Sequence, residues 1–597
     1  MSVDPYRALL AAYLRPRWGG VLGLSLLLLA GVGLELASPQ LARYFIDTAV
    51  AGGALETLAL AAGAYMGVAL LAQVVTFGET YAAEQVGWGA TNHLRLDLVR
   101  HALGLDMAFH DAHTPGELIE RIDGDVTQLA NFFSRFVLKL VGSSLLLVGA
   151  LALLWLEEWR IGLLFLVTCA LALVVLERVR AAGTRYAAAR RQANAELFGF
   201  LEERLAGLVD IRANGAGGHT LSRLRDRLAE VFQTSRTAFL MGGVLGSATG
   251  AVFALGTVAA LGLAAYLLSL GWITLGAVYL VLRYTGLIRQ HLGEIRRQAQ
   301  DFQAAEASIR RVAELRQTRP SVVDGSGEPP PPGPLSVEFS DVAFRYPRLA
   351  PDGEAPLALD GVSFRLEPGR VLGVLGRTGS GKSTLARLLA RLYDPTSGQV
   401  LLGGVDPRTA RLDDLRRRVG LVTQEVQLFR ASLRENVTLF AASRPQGHGG
   451  VPEERVLEAL EALGLGEWLR RVGGLEAEID PAGLSAGEAQ LVAFARLFLR
   501  DPGLVVLDEA SSRLDPATER LLERAVDRLL RPDGARRTAI VIAHRLATLE
   551  RADDVLILER GRVVEHGPRA ALAADPRSRF GELLALGLEP EPVGGVV

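Results

Sequence analysis

The stretch Gly376-Arg-Thr-Gly-Ser-Gly-Lys-Ser383 decides how this chain is read. It fits the spacing GxxxxGK[ST], follows the apolar run Val371–Leu375 and opens a helix. Its glycines let backbone N–H groups wrap phosphate oxygens, Lys382 can reach the β and γ phosphates, and Ser383 can ligate Mg²⁺. A helix N-terminus at this point adds a field that favours anions. A glycine-rich turn without such a role is the bland alternative, and the strand before it and the helix after it argue against it.

Working outward, Leu504-Val-Val-Leu-Asp508-Glu509 offers the complement. Four apolar residues bury a strand, Asp508 at its end can hold the Mg²⁺ shell, and Glu509 is placed to polarise an attacking water. An acidic pair after a buried strand says little alone and much with a phosphate loop upstream. His544, after the run Thr538–Ala543, can meet a γ-phosphate, although a lone histidine is more often structural. The runs Val371–Leu375, Leu504–Leu507 and Thr538–Ala543 read as strands of a mostly parallel, doubly covered sheet, with β-rich segments at Ser336–Tyr346 and Val362–Leu366 ahead of them.

The first half of the chain has a different composition. Of 597 residues 49% are hydrophobic, which is high for a soluble enzyme. Apolar runs near 18–46, 57–80, 137–156, 160–178, 240–268 and 273–292 are long enough for a hydrocarbon core of roughly 30 Å. A cleaved secretory signal is the competing reading of the first run, and no small-residue cleavage site follows it. The net charge of −2 gives no reason to expect a nucleic-acid partner. The single cysteine, Cys169, excludes an intrachain disulfide framework and reads as a small packed residue. Lys139 and Lys382 are the only lysines, which makes Lys382 conspicuous.

Arginine placement sets orientation. The segments between runs two and three and between runs four and five carry many arginines, whereas the turn Glu157–Arg160 holds one. Both long segments and both termini therefore face the cytoplasm. Leu94, Leu98 and Leu105, then Leu118, Ile122, Val126 and Leu129, keep a helical rhythm, so the spans continue as helices beyond the bilayer. Glu35, Arg43 and Arg283 fall at membrane depth, where a charge is costly and is read as cavity lining or as half of a pair. From Gln317 to Leu335 prolines crowd the chain, and the stretch reads as an exposed, fairly stiff connector.

With these residues in place, the soluble half resembles the nucleotide-binding domain of the ATP-binding cassette (ABC) family. The whole chain is similar to a half-transporter of that family's exporter branch. Leu484-Ser-Ala-Gly-Glu488 resembles the family signature, 20 residues before the metal aspartate. The resemblance implies a multidomain chain: an all-α six-helix transmembrane domain over 1–316, a linker over 317–335, an α/β P-loop ATPase domain with a helical subdomain over 336–587, and a tail over 588–597. It implies that ATP is held by Gly376, Arg377, Thr378, Gly379, Ser380, Gly381, Lys382, Ser383 and Thr384, with Tyr346 stacked on adenine. Mg²⁺ would be held by Ser383, Gln424 and Asp508, and Glu509, His544 and Gln424 would be catalytic. Ser511–Asp515 would cross a dimer interface, and Asp106–His113 and Ala213–His219 would press on the nucleotide domains.

The signature departs from the usual LSGGQ. Ser485 and Gly487 keep the hydroxyl and N–H donors expected at the γ-phosphate, while Ala486 and Glu488 replace glycine and glutamine. Glu476–Gly483 lacks the usual Glu-Arg-Gly, and Arg513 replaces a small residue. In the family each ATP lies between one subunit's phosphate loop and the other's signature, so Ser485, Ala486, Gly487 and Glu488 would act on the partner's ATP. The implied activity is ATP-driven export of a lipophilic small molecule, lipid or peptide by two half-transporters in a bacterial cell membrane. A heterodimer is favoured slightly over a homodimer, because in asymmetric members the subunit keeping the glutamate often carries the less typical signature. An ATP-gated channel or regulatory subunit of the same architecture is the alternative, and it would be marked by a missing glutamate or a long insertion. A soluble repair or translation ATPase conflicts with the spans. The transported substrate is not written in the motifs.

Overall fold

The computed structural model describes residues 13, 15–132, 137–347, 356–441, 451–508, 516–531, 536–543 and 546–586. The chain divides into two compact units, one formed by Met1–Ala102 with Leu118–Gln317, the other by Leu103–Glu117 with Thr318–Val597.

Six long helices build the first unit: Trp18–Val50, Leu55–Leu103, Val137–Glu157, Trp159–Ala206, Gly217–Ser269 and Leu275–Gln317. Among the described residues the first five carry windows apolar enough to cross a bilayer. The sixth does not join them, because Arg283, Arg289, Gln290 and His291 interrupt its apolar first half. The 48 residues of Trp159–Ala206 rise about 70 Å, so this helix outruns a hydrocarbon core of roughly 30 Å.

Packing rests on the apolar stripes. Ala150, Leu154, Ile161, Phe165, Cys169, Ala264 and Tyr284 lie in one buried cluster, which bears out the packed reading of the cysteine. Tyr284 is fully buried. Its hydroxyl is satisfied by donation to the Leu36 carbonyl at 2.9 Å and acceptance from Gln40 at 3.0 Å. Arg43 is half of a local network, paired with Glu157 and, at 3.5 Å, with Asp47. Asp47 in turn takes the Thr274 hydroxyl and the Gly276 amide, both at 2.8 Å, and so caps the sixth helix from the first. Asp125, 1% exposed, is held by Arg311, a buried charge made tolerable by its fork-shaped partner.

In the second unit β1 (Val337–Phe344), β2 (Leu359–Leu366), β3 (Val371–Leu375), β4 (Ser397–Leu402), β5 (Val419–Val422), β6 (Ala431–Ser432), β7 (Glu478–Ile479), β8 (Leu504–Asp508), β9 (Thr538–Ile542), β10 (Asp554–Glu559) and β11 (Arg562–Pro568) form three sheets. One is antiparallel with order β2-β1-β4. The central sheet has order β11-β10-β3-β9-β8-β5 and is parallel except for the edge hairpin β10-β11. Every residue of β3, β8 and β9 is buried, as their unbroken apolar runs require. Helices Glu453–Ala462, Gly466–Val472 and Ala486–Arg500 pack through Leu460, Trp468, Leu491 and Phe494.

Most of the connector's side chains are exposed, and its backbone makes bonds that composition did not announce, which stitch it to the second unit. Gly327 N donates to Thr409 O at 2.7 Å, Arg391 reaches Val323 O at 2.7 Å, and Leu335 N donates to Gly503 O at 3.1 Å. One Arg418 nitrogen takes the carbonyls of Pro331 and Gly333, both at 2.6 Å. Proline has no N–H, so this run cannot bond its own carbonyls into a helix, and an arginine collects them instead.

Residues Leu103–Glu117 also belong to the second unit. Asp106 caps the helix Met107–Ala112 by accepting from Phe109 N at 3.2 Å. Its other carboxylate oxygen accepts from the connector: the Ser321 hydroxyl at 2.6 Å, Val322 N at 3.2 Å and Ser321 N. Burial pushes the Asp106 carboxyl up, but the Ser321, Phe109 and Val322 bonds outweigh it and hold it below the usual range.

Candidate nucleotide site at the sheet edge

Four neighbouring parallel strands, β3, β9, β8 and β5, end at one edge of the central sheet. The Gly376 loop follows β3, Ala543 follows β9, Asp508 closes β8, and Gln424 stands two residues past β5. The edge outside the carboxyl ends of parallel strands is where open α/β sheets bind ligands. The sequence motifs, spread over more than a hundred residues, are gathered there by strand order alone.

The loop itself is shaped for an anion. Gly376, Gly379 and Gly381 have φ of 153°, 80° and 104°. A Cβ on Gly376 would lie 2.3 Å from Leu558 O, and one on Gly381 would lie 2.7 Å from Ala358 O, so neither position takes a side chain. No side chain caps the helix Lys382–Leu389 at its N-cap Gly381, which keeps its first amides directed at the loop. Ser380 Oγ is buried with no hydrogen-bond partner among the described residues. Lys382, only 5% exposed, arches back so that its ammonium donates to the carbonyls of Gly376 at 2.6 Å and Arg377 at 3.2 Å. Ser383 is exposed at the same rim. Open amides, an unsatisfied hydroxyl and one ammonium fit a polyphosphate, and the oxygens of Ser383, Gln424 and Asp508 fit a hard cation such as Mg²⁺.

Asp508 is buried at the end of β8, in register with Ile542 of β9. Glu509, His544 and the segment Ser511–Asp515 with Arg513 lie outside the described residues. The Thr384 hydroxyl is bonded to that of Tyr346 at 3.0 Å.

Tyr346 has company that the sequence did not announce. Its ring meets the Tyr393 ring edge-on, centroids 5.3 Å apart, and that of Phe344 at 4.8 Å. Arg387 lies over Tyr346, 5.6 Å from its centroid. The Tyr393 hydroxyl donates to Asp111, on the helix Met107–Ala112. Burial and the Asp111 bond both push the Tyr393 phenol up. The only sequence signal for this cluster is that tyrosine and arginine recur near the phosphate loop, which is too weak to have found it.

The signature segment starts the helix Ala486–Arg500 with Ser485 as N-cap. Ser485 and Glu488 form a reciprocal capping box: Glu488 N donates to Ser485 Oγ at 3.3 Å, and Ser485 N and Oγ donate to the Glu488 carboxylate at 2.9 and 3.0 Å. Trp468 adds its indole N–H at 3.0 Å. Burial raises the Glu488 pKa, but these bonds prevail and hold the carboxyl below the usual range, so it is a carboxylate at neutral pH. Of the two donors expected at a phosphate, the Ser485 hydroxyl thus already donates to a carboxylate of the same chain.

Residues 21–292 match the family described as ABC transporter transmembrane region, and residues 359–512 match the family described as ABC transporter. The chain is 31% identical over 530 residues to a fatty acid ABC transporter ATP-binding/permease protein of Mycobacterium bovis, covering 87% of this chain and 79% of that one. The chain is an ABC transporter. The transporter is also 30% identical over 501 residues to an ATP-dependent lipid A-core flippase of Idiomarina loihiensis, covering 83% of this chain and 82% of the relative. Its fold is that of a bacterial Atm1-family ABC exporter solved with ATP bound, with a TM-score of 0.78 at 24% identity, over 96% of this chain and 98% of that one. The transporter is therefore an exporter-type half-transporter, a multi-pass membrane protein whose ATPase unit hydrolyses ATP to drive transport.

Proposed function

We propose that this half-transporter exports a lipophilic amphiphile from a bacterial cell membrane, working as a dimer with two composite ATP sites. The observation that carries the nucleotide part is the glycine-cradled loop at Gly376 ending one strand while Asp508 ends another at the same sheet edge. Lys382 and the loop amides bind the β and γ phosphates, and Tyr346 meets the base. Ser383, Gln424 and Asp508 hold Mg²⁺, which when bound offsets phosphate charge and helps hold the phosphates in line for attack. Glu509 orients and polarises the attacking water, and His544 and Gln424 contact the reacting phosphate. The membrane part spans 1–316, the connector 317–335, the ATPase domain 336–587 and the tail 588–597.

The partner completes each site by presenting its signature, and this chain's Ser485, Ala486, Gly487 and Glu488 act on the partner's ATP. The Glu488 carboxylate beside Ser485 supports an asymmetric pair, in which a related half-transporter brings the more typical signature to the Lys382 site. A lipid-like cargo is supported by the fatty acid and lipid A-core names of the relatives.

Reconstituting the chain in liposomes tests the reading. Mg²⁺-ATP hydrolysis by the wild-type chain alone should be slow, and it should rise when a half-transporter with a typical signature is co-reconstituted. Glu509→Gln should bind ATP and stall as a closed dimer, seen as nucleotide retained through gel filtration. A Glu509→Gln protein that turns over at the wild-type rate would remove that residue from the mechanism. Brisk turnover by the chain alone, with two identical sites, would defeat the heterodimer.

A further inference from the structure

The helix bundle holds a cavity of about 790 Å³ lined by the first, second, third and sixth helices. That size accepts a drug-like or single-chain lipid ligand. Leu28, Val32 and Leu146 supply apolar wall, and of the four glutamates in the lining Glu35 of the first helix and Glu79 of the second face each other. A Glu79 oxygen lies 3.5 Å from where a Cβ on Gly31 would stand, and Gly31 is one helical turn from Glu35 on the same face. His291, 9% exposed, bridges Glu35 at 3.4 Å and the Ser143 hydroxyl at 3.2 Å, and so fixes where Glu35 points.

The basic residues of the cavity do not answer these two charges. Lys139, at 3.4 Å, and Arg297 are both committed to Glu294. Arg283 precedes His291 by eight residues on the sixth helix, which is about 12 Å along the axis. Among the described residues no lysine or arginine pairs with Glu35 or Glu79. A third carboxylate, Glu84, lines the same cavity and takes the Trp88 indole N–H at 2.9 Å.

The lining is mixed, apolar at Leu28, Val32 and Leu146 and polar at Gln73, Thr76 and Thr80, and a carboxylate at membrane depth that no arginine or lysine answers is costly until a cation meets it. An acid headgroup would place another negative charge beside the pair, whereas an ammonium or phosphonium group would neutralise it. We propose that this cavity binds a cationic amphiphile, its positive group between Glu35 and Glu79 and its apolar body along Leu28, Val32 and Leu146. The inference rests on the export reading and narrows its cargo from lipophilic amphiphiles in general to those carrying a positive charge.

The test uses the full chain in phosphatidylcholine nanodiscs and two probes of one shape and opposite charge, tetraphenylphosphonium and tetraphenylborate. Binding is read by equilibrium dialysis and corrected with protein-free nanodiscs. The wild type should bind the phosphonium at least tenfold more tightly than the borate. E35Q/E79Q, checked for an unchanged elution volume, should lose tenfold or more in phosphonium affinity. Equal or tighter borate binding by the wild type overturns the proposal, as does a phosphonium preference that survives E35Q/E79Q. If the double variant fails to assemble, the wild-type comparison decides alone. Vanadate-sensitive ATPase, measured with a half-transporter of typical signature co-reconstituted, separates the two readings. ATPase without cation preference sinks only the cavity assignment, and cation preference without ATPase sinks only the export reading.

Discussion

The Tyr393 hydroxyl donates to the Asp111 carboxylate, joining a ring that touches Tyr346 to a helix in the segment Leu103–Glu117. In sequence that segment comes directly after the second long helix, Leu55–Leu103. Tyr393→Phe keeps the buried ring and removes only this bond, which is worth roughly 1–2 kcal/mol. The KM for ATP should stay within twofold, and transport per ATP hydrolysed should fall severalfold. Asp111→Asn should do the same, and the double variant should be no worse than either single one. Additive losses would show that the two residues act separately.

Lys382 holds its own loop through the carbonyls of Gly376 and Arg377, and its ammonium lies at the loop proposed to cradle the phosphates. Lys382→Ala should lower ATP turnover by about a hundredfold or more, since phosphoryl transfer depends on positioning and charge. Helix content by circular dichroism should not change. Turnover within tenfold of the wild type would place the phosphates elsewhere.

Glu488→Gln keeps a side chain able to complete the capping box while removing its charge. With the carboxylate gone, an incoming phosphate meets less repulsion. ATP hydrolysis at sub-saturating ATP should rise about threefold in the assembled transporter. Unaltered or lower turnover would show that the signature charge does not govern closure.

Asp106 supplies a pH dependence with a definite sign. Its folded carboxyl is held below the ordinary value, so the stabilisation is fully present above about pH 4 and fades as pH falls through the folded value. Asp106→Asn should lower the thermal midpoint by a few degrees at pH 7, and the gap from wild type should close as the medium is acidified below about pH 4. A gap that persists in acid would mean that the charge of Asp106 is not its source.

The parts of this fold that could be read from the chain were local. Val371–Leu375 and Leu504–Leu507 are unbroken apolar runs, and the loop at Gly376 carries its geometry in its glycines. What stayed hidden joins residues far apart. Arg43 meets Glu157 across 114 positions, Asp106 meets Ser321 across 215, and Tyr393 meets Asp111 across 282. No period or spacing announces such pairs, because only the packed chain brings them together. Glu35 could be singled out as a costly charge, but its relation to Glu79 and His291 needed three helices side by side. The bonds that hold the connector were hidden for a related reason: proline content reveals what a segment cannot bond internally, and not what will bond to it.

The ATPase unit takes in Leu103–Glu117, which the chain completes long before it reaches Thr318. A gene fragment starting at the connector would therefore encode an unfinished protein, with Tyr393 lacking its acceptor and Ser321 lacking Asp106. Grafting this ATPase onto another membrane half would create the same mismatch unless residues 103–117 travelled with it. Recombination can cut the sequence cleanly at the prolines, but inheritance of a working engine requires two separated pieces of the gene to move together.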